Sequence, residues 1–285
     1  MEKDFTNKDI IHVKDKNNNV EYLKFRVLDK YRDKLNNCIT LRHGGVSSGV
    51  YESLNFRTVG NDKYENVDKN LEIISSKLSI DKKCIYKGKQ DHTDNILVLD
   101  DKNKEKYTFS NLSKECYDGY IVTKSNINTL VTTADCNPII IYDPILNIVA
   151  NVHSGWRGTI KNVSIKAAII MHEKFNSKYE DLIVCIGPSI RKCCFTSKEE
   201  EFKNKFTSVF QDEEKYITKD KDGTFHIDLI YILKSEFLRL GVKEENIAIC
   251  DIGTCCNSDS FYSYRKSKIN KEEDYGTFAT IVGMK

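Results

Sequence analysis

The feature that most constrains this chain is a pair of apolar, β-branched runs joined at a proline turn. Residues 138–142 read PIIIY, Asp143-Pro144-Ile145-Leu146 fits a type I turn with proline at its second position, and residues 146–152 return as LNIVANV. Such a pattern predicts a hairpin. Reactive residues flank it. Thr133-Ala134-Asp135-Cys136-Asn137-Pro138 leads in, and His153-Ser154-Gly155-Trp156-Arg157-Gly158 leads out. If Asp143 faces Leu146, paired residue numbers sum to 289, and Cys136 falls directly opposite His153. Their Cβ atoms would then stand about 5 Å apart. A thiolate and an imidazole at that spacing can share one zinc ion. A one-residue slip would send them to opposite faces.

The rest of the chain predicts a mixed α/β fold of the α+β type: one layered domain over residues 1–285, with mixed sheets flanked by helices and an N-terminal hairpin extension at 10–25 around Lys16-Asn17-Asn18-Asn19. Val67, Leu71, Ile74 and Leu78 recur at helical spacing. Ile160, Val163, Ala167 and Ile170 stripe a second helix that starts just past Gly158. Helices are also expected at 198–210 and at 229–240, the latter stopped by Gly241. Strands are expected at 84–87, 96–99, 120–123, 182–186, 247–250 and 278–282, with Asp118-Gly119 as a turn before the third. Strands and helices do not alternate regularly, which argues against a Rossmann arrangement.

Net charge is +2, so bulk electrostatics point to neither nucleic acid nor a membrane surface. The first residues, MEKDFTNKDI, lack the apolar core of a signal peptide, and no apolar run is long enough to span a bilayer; both predict a cytoplasmic protein. Ten cysteines in a long chain without an export signal read as reduced thiols. Cys38, Cys84, Cys116, Cys185 and Cys250 fit core or strand positions. Cys193-Cys194 and Cys255-Cys256 are vicinal pairs, and no C-x-x-C occurs.

His92, in Gln90-Asp91-His92, is the best third ligand beside Cys136 and His153: it follows a short strand in a polar loop. A Cys-His-His set leaves a fourth position for water, and zinc lowers the pKa of that water to about 7. Asp135 or Asp91 could orient the water or move protons. The loop at 42–55 carries Arg42 ahead of Gly44-Gly45 and can present N–H groups and a guanidinium to an anion, or be a plain turn. It lacks the Gly-Lys-Ser/Thr ending of a P-loop. Phe261-Tyr262-Ser263-Tyr264-Arg265 is either an edge strand or an aromatic and cationic face for a ligand.

Taken in order, Gly44-Gly45-Val46-Ser47 with Tyr51 and Ser53-Leu54-Asn55, Gln90-x-His92, Asp118-Gly119, Ala134-Asp135-Cys136-x-Pro138, His153-x-Gly155-Trp156-Arg157-Gly158, Ile186-Gly187-Pro188-Ser189-Ile190 and Ser263-Tyr264-Arg265 form a specific combination. The chain resembles the laccase-domain proteins, also called the multicopper polyphenol oxidase or YfiH-like family, from about residue 38 onward. The resemblance implies one zinc held by His92, Cys136 and His153, with copper as an adventitious replacement. It implies phosphorolysis of adenosine, inosine, guanosine and methylthioadenosine, and deamination of adenosine. Purine nucleosides and phosphate would then be the partners, with Asp135, Arg42 and Arg157 as catalytic candidates and His43, Gly44, Asn55, Gln90 and Arg265 as substrate-binding candidates. Arg42 and Arg157 would serve phosphate, with solvation and a helix anchor as their respective bland readings.

Two other functions stay open. Some bacterial relatives are thought to remove a wrongly added serine from a muramoyl precursor, which implies a zinc amidase with a larger groove. A non-catalytic zinc protein would close the site with a fourth ligand such as Cys193 or Cys255. Sequence leaves a homo-oligomer open. The oxidase label fits poorly: the six histidines include no His-x-His pair, which a multicopper site needs. The chain departs from the family pattern at Ser154 (usually alanine), Gly253 (cysteine) and Thr277 (arginine).

Overall fold

The computed structural model describes residues 3–15, 19–109 and 114–285. Two six-stranded mixed sheets pack face to face, with helices on their outer faces. The first sheet runs Ile10–Lys14, Glu21–Phe25, Leu35–Thr40, Phe278–Met284, Ile127–Thr133, Ile85–Tyr86; the second runs Ile247–Ile249, Ile183–Ile186, Asn137–Asp143, Ile148–Ser154, Gly119–Val122, Ile96–Leu99. A small third sheet holds Thr196–Ser197, Phe225–Ile227 and Ile217–Lys219. The N-terminal hairpin pairs Ile10 with Phe25 and adds its two strands to the edge of the first sheet; the Lys16 to Asn18 part of its expected turn lies outside the described residues.

Alternation along the central hairpin sorts its side chains. Ile140, Tyr142 and Val149 enter the core between the sheets, whereas Ile139, Ile141 and Ala150 face the helices Val163–Phe175 and Leu229–Leu240. Helix Tyr64–Leu78 covers the opposite face of the first sheet through Val67, Leu71 and Ile74. A polar rivet crosses the seam: the Asn151 amide donates to Thr129 O at 3.1 Å and to Thr280 O at 3.0 Å. Leaving such a buried amide unpaired would cost about 1–3 kcal/mol.

The hairpin register differs from the expected one. Pro138 faces His153 and Asp143 faces Ile148, so paired numbers sum to 291. The cause is the turn. The Asp143 carboxylate accepts hydrogen bonds from Ile145 N and Leu146 N, both 2.9 Å, and Asn147 takes a left-handed φ of 53°. Asp143 caps the turn while staying in the ladder, and four residues make the loop. The offset is even, so Cys136 and His153 still share a face.

Two other expectations fail locally. The helix past Gly158 is two pieces, Trp156–Ile160 and Val163–Phe175, broken where Asn162 turns left-handed at φ 56°. Residues 261–265 are not an edge strand: the Ser263 hydroxyl accepts from Lys266 N at 3.1 Å and caps the helix Tyr264–Ile269.

Candidate metal centre and cavity

The ends of the central strands open into a cavity of ≈ 820 Å³ at one end of the seam between the sheets, lined among others by Thr132, Cys136, His153 and Trp156. His92, Cys136 and His153 meet there, with their ligand atoms all within 4.8 Å of one another. Cys136 Sγ lies 3.7 Å from His92 Nε2, and the two imidazoles are 5.0 Å apart between centroids. Extending the hairpin register places Gly155 opposite Cys136. A Cβ on Gly155 would stand 2.8 Å from Cys136 Sγ and 2.7 Å from His92 Cδ2, so glycine supplies the room in which sulfur and imidazole converge.

Asp118 organises two of the three cluster residues. Its Oδ1 lies 2.7 Å from His153 Nδ1, which leaves Nε2 to face the cluster. The same carboxylate accepts from His92 N at 3.1 Å, from Thr93 N at 2.6 Å and from Thr93 Oγ1 at 2.7 Å. It thereby holds His92 at a left-handed φ of 54°, uncommon for a residue other than glycine. Lys161 Nζ ties His92 O from the other side at 3.0 Å. The expected Asp-Gly turn is instead this clamp followed directly by strand Gly119–Val122.

The electrostatics suit a soft metal ligand set. Burial works against a charged Cys136, but His153 and His92 outweigh it and bring the thiol down to about 6. Burial likewise opposes a charged His153, but Cys136 and Asp118 raise it to about 10. Asp118 is buried, yet His153 and Thr93 hold its carboxyl below the usual range. The donor set fits one tetrahedral zinc with an open position: one thiolate, two imidazoles, a carboxylate behind one of them, and, among the described residues, no fourth ligand in the cluster. The expected closing ligand Cys193 belongs to a different cluster, with Cys194 and Cys256.

The other anticipated residues divide. Asp135, Gln90, Arg157 and Arg265 line the cavity. Asp135 is tied on both oxygens, to Thr254 Oγ1 at 2.7 Å and to Arg265 N at 2.6 Å, and burial raises its pKa against those bonds. Gln90 pairs with the backbone of Thr132, at 2.9 Å and 2.8 Å, which anchors the loop carrying His92. The Arg157 guanidinium lies over the Trp156 ring at 4.3 Å. Arg265 donates to Cys194 O at 2.6 Å.

Arg42, His43, Gly44 and Asn55 do not line this cavity. Arg42 donates to Glu52 O and Ser258 O, both 2.8 Å, and packs over Tyr262 at 4.7 Å; it borders a separate cavity of ≈ 230 Å³. Gly44 turns at φ 87°, where a Cβ would meet Val20 backbone at 2.6 Å. Asn55 is fully buried and accepts from Arg57 N and Thr277 N, both 3.0 Å. The glycine-rich loop is a packed joint, and its contribution to the cavity is indirect, through Arg57.

Arg57 and Lys87 are cavity residues that sequence reasoning missed. The Arg57 guanidinium lies over Tyr275 at 4.0 Å, with Asp274 Oδ1 3.4 Å from its Nε. Lys87 is 5 % exposed and donates to Thr58 Oγ1 at 3.3 Å, with no carboxylate partner among the described residues. Burial, then Arg57, pull its pKa down to about 8. Nothing in the pattern around a lysine marks it as buried, and this chain has 44 lysines and arginines. The aromatic wall comprises Trp156, Phe195, Phe202, Tyr264 and Tyr275. Thr277, where the family pattern has arginine, lines the cavity, while Gly253, where it has cysteine, makes room for Arg191, whose Cγ would lie 3.1 Å from an added Cβ. Ser154, the third departure, is buried against Thr159 Oγ1 at 3.0 Å.

The chain is similar to several known proteins. A purine nucleoside phosphorylase of Bacteroides thetaiotaomicron is 28% identical over 247 residues, covering 86% of this chain and 90% of that protein. A protein named adenosine deaminase RL5, from an unknown prokaryotic organism, is 27% identical over 213 residues, 74% of this chain and 80% of its own. The crystal structure of YlmD from Geobacillus stearothermophilus shares the fold at a TM-score of 0.86 and 21% identity, covering 97% of this chain and 99% of that one. The family model described as multi-copper polyphenol oxidoreductase laccase matches residues 36–285, and the chain belongs to that family.

Proposed function

We propose that this protein is a zinc-dependent purine nucleoside phosphorylase that also deaminates adenosine. The observation that carries the reading is the composition of one cavity: a His92–Cys136–His153 cluster, an aromatic wall, and the buried Lys87 beside Arg57. Relatives named purine nucleoside phosphorylase and adenosine deaminase support it.

His92, Cys136 and His153 would hold the ion, and zinc there would supply a Lewis acid and a water activated near neutral pH. Trp156, Tyr264 and Tyr275 offer flat apolar surface for a purine, and stacking favours the planar base over a sugar. Lys87 and Arg57 provide positive charge inside the cavity; a phosphate dianion offsets the cost of burying them, and Arg57 adds a planar fork suited to its oxygens. Arg157 is a third cation on the same wall. In phosphorolysis, a phosphate oxygen forms a bond to the sugar carbon as the bond to the base breaks, and the base leaves with a proton. Cations placed on the phosphate orient that attack. Asp135 positions Arg265 and Thr254 rather than moving protons, since both its oxygens are engaged.

A product screen by mass spectrometry tests the reading, using zinc-loaded protein with adenosine, inosine, guanosine or methylthioadenosine, with and without phosphate, and a muramoyl-serine substrate. Free base and sugar phosphate that appear only with phosphate, together with phosphate-independent conversion of adenosine to inosine, are expected. Release of serine from the muramoyl substrate with no action on nucleosides would replace the reading by the amidase one.

A further inference from the structure

Three sulfurs converge at a second place. Cys193 Sγ lies 3.6 Å from Cys194 Sγ and 3.6 Å from Cys256 Sγ, and Cys194 Sγ lies 3.4 Å from Cys256 Sγ. The two segments that carry them are brought together by the backbone. Ser189 bridges Gly253, with Thr254 N donating to Ser189 O at 3.0 Å. A tight turn then presents the vicinal pair, with Cys194 N donating to Arg191 O at 2.8 Å and Phe195 N to the same oxygen at 2.9 Å. On the other segment, Asn257 N donates to Gly253 O at 3.1 Å and closes the turn that carries Cys256.

These separations match the chemistry of a shared cation. Two thiolates bound to one zinc at ~2.3 Å with tetrahedral angles stand about 3.8 Å apart. The observed spacings are within a few tenths of an ångström of that value for all three pairs. Cys193 and Cys256 are exposed, so an ion can enter from solvent, and solvent can complete its coordination. Among the described residues, no carboxylate or imidazole joins the cluster, so its ligand atoms are sulfur alone. Such a set selects zinc or cuprous copper over harder ions.

We propose that Cys193, Cys194 and Cys256 form a second metal site, for a thiophilic d¹⁰ cation, separate from His92, Cys136 and His153. The cation staples the segment at 190–197 to the turn at 254–257. The first of these supplies Ile190, Phe195 and Thr196 to the cavity wall, and Arg265 donates from the cavity to Cys194 O. The site therefore fixes the wall without touching the reacting groups.

The test is metal titration of the full-length chain, reduced and stripped with a chelator, using zinc, cobalt and, without oxygen, cuprous ion. Elemental analysis should give two equivalents of zinc for the wild type, and one each for Cys193→Ser/Cys256→Ser and for His92→Ala. Cobalt in His92→Ala should show the intense charge-transfer absorption of several thiolates; cobalt in the sulfur variant should show only that of a single thiolate. Cys255→Ser should keep two equivalents. Cuprous ion should displace zinc from the three-sulfur site first. Circular dichroism verifies that each variant is folded. A second zinc equivalent that survives in folded Cys193→Ser/Cys256→Ser, or a wild type that takes up only one while His92→Ala takes up none, would overturn the proposal.

Discussion

The His92–Cys136–His153 cluster and the Cys193–Cys194–Cys256 cluster are built from similar atoms in different surroundings. The first sits where strands end inside the molecule, with His153 4 % exposed, a carboxylate behind it, a glycine opposite the sulfur, and a large cavity in front. The second sits on turns, two of its three cysteines are exposed, and among the described residues no carboxylate or imidazole belongs to it. The type of donor atom alone therefore does not set what such a cluster can do. The difference lies in what stands behind the ligands to orient them and what space lies ahead of them for a substrate.

The strongest way to break that comparison is to remove ligands from the buried cluster. Cys136→Ser and His153→Ala should each lose the metal of that cluster and abolish both phosphorolysis and deamination, as read by elemental analysis and product chromatography; either variant with full metal and full turnover would remove the buried cluster from the mechanism. Next comes the carboxylate behind His153. Asp118→Asn should weaken metal binding by about 10–100-fold in a chelator competition, because it loosens both His153 and the backbone at His92. An unchanged affinity would mean that orientation contributes nothing.

Smaller effects sharpen the account of the cavity. Lys87→Met should raise the KM for phosphate roughly tenfold at neutral pH, about 1.4 kcal/mol. The pH dependence has a definite sign. The protonated amine binds the anion, and its pKa is lowered to about 8, so the phosphate KM of the unmodified chain should climb as pH rises past about 8. Lys87→Met should flatten that climb, and a climb of the same size in the variant would assign it to another group. Deamination should change little. Smallest for catalysis is Arg42→Ala: it should leave the phosphate KM unchanged while lowering folding stability by about 2 kcal/mol in denaturant titrations, since its bonds are to Glu52 O and Ser258 O. A selective loss of phosphate affinity there, with stability intact, would return Arg42 to the site.

The sequence made the pairing of Cys136 with His153 legible because hairpin parity survives an error in register: the turn at Asp143 shifts the pairing by an even number, and Cys136 keeps the face of His153. The family motifs marked the loop at His92. The clamp was not legible, since Asp118 and His153 are 35 residues apart and an Asp-Gly pair ordinarily signals a turn. Nor was the cavity's charge. Arg42 stands in a loop that looks suited to anions, yet backbone carbonyls consume its donors, whereas Lys87 follows an ordinary short strand and is buried by distant elements. The aromatic run at 261–265 allowed an edge strand or an aromatic and cationic face; the capping hydroxyl on Ser263 starts a helix instead of a strand, and Tyr264 and Arg265 line the cavity.

Metal content and phosphate-dependent turnover, measured together on His92→Ala and on Cys193→Ser/Cys256→Ser, test the division of labour between the two clusters most directly. The account predicts that each variant loses one equivalent of metal, that His92→Ala loses all turnover, and that the sulfur variant keeps it. Turnover that survives in His92→Ala, or that disappears from a folded sulfur variant still carrying metal at the buried cluster, would contradict it.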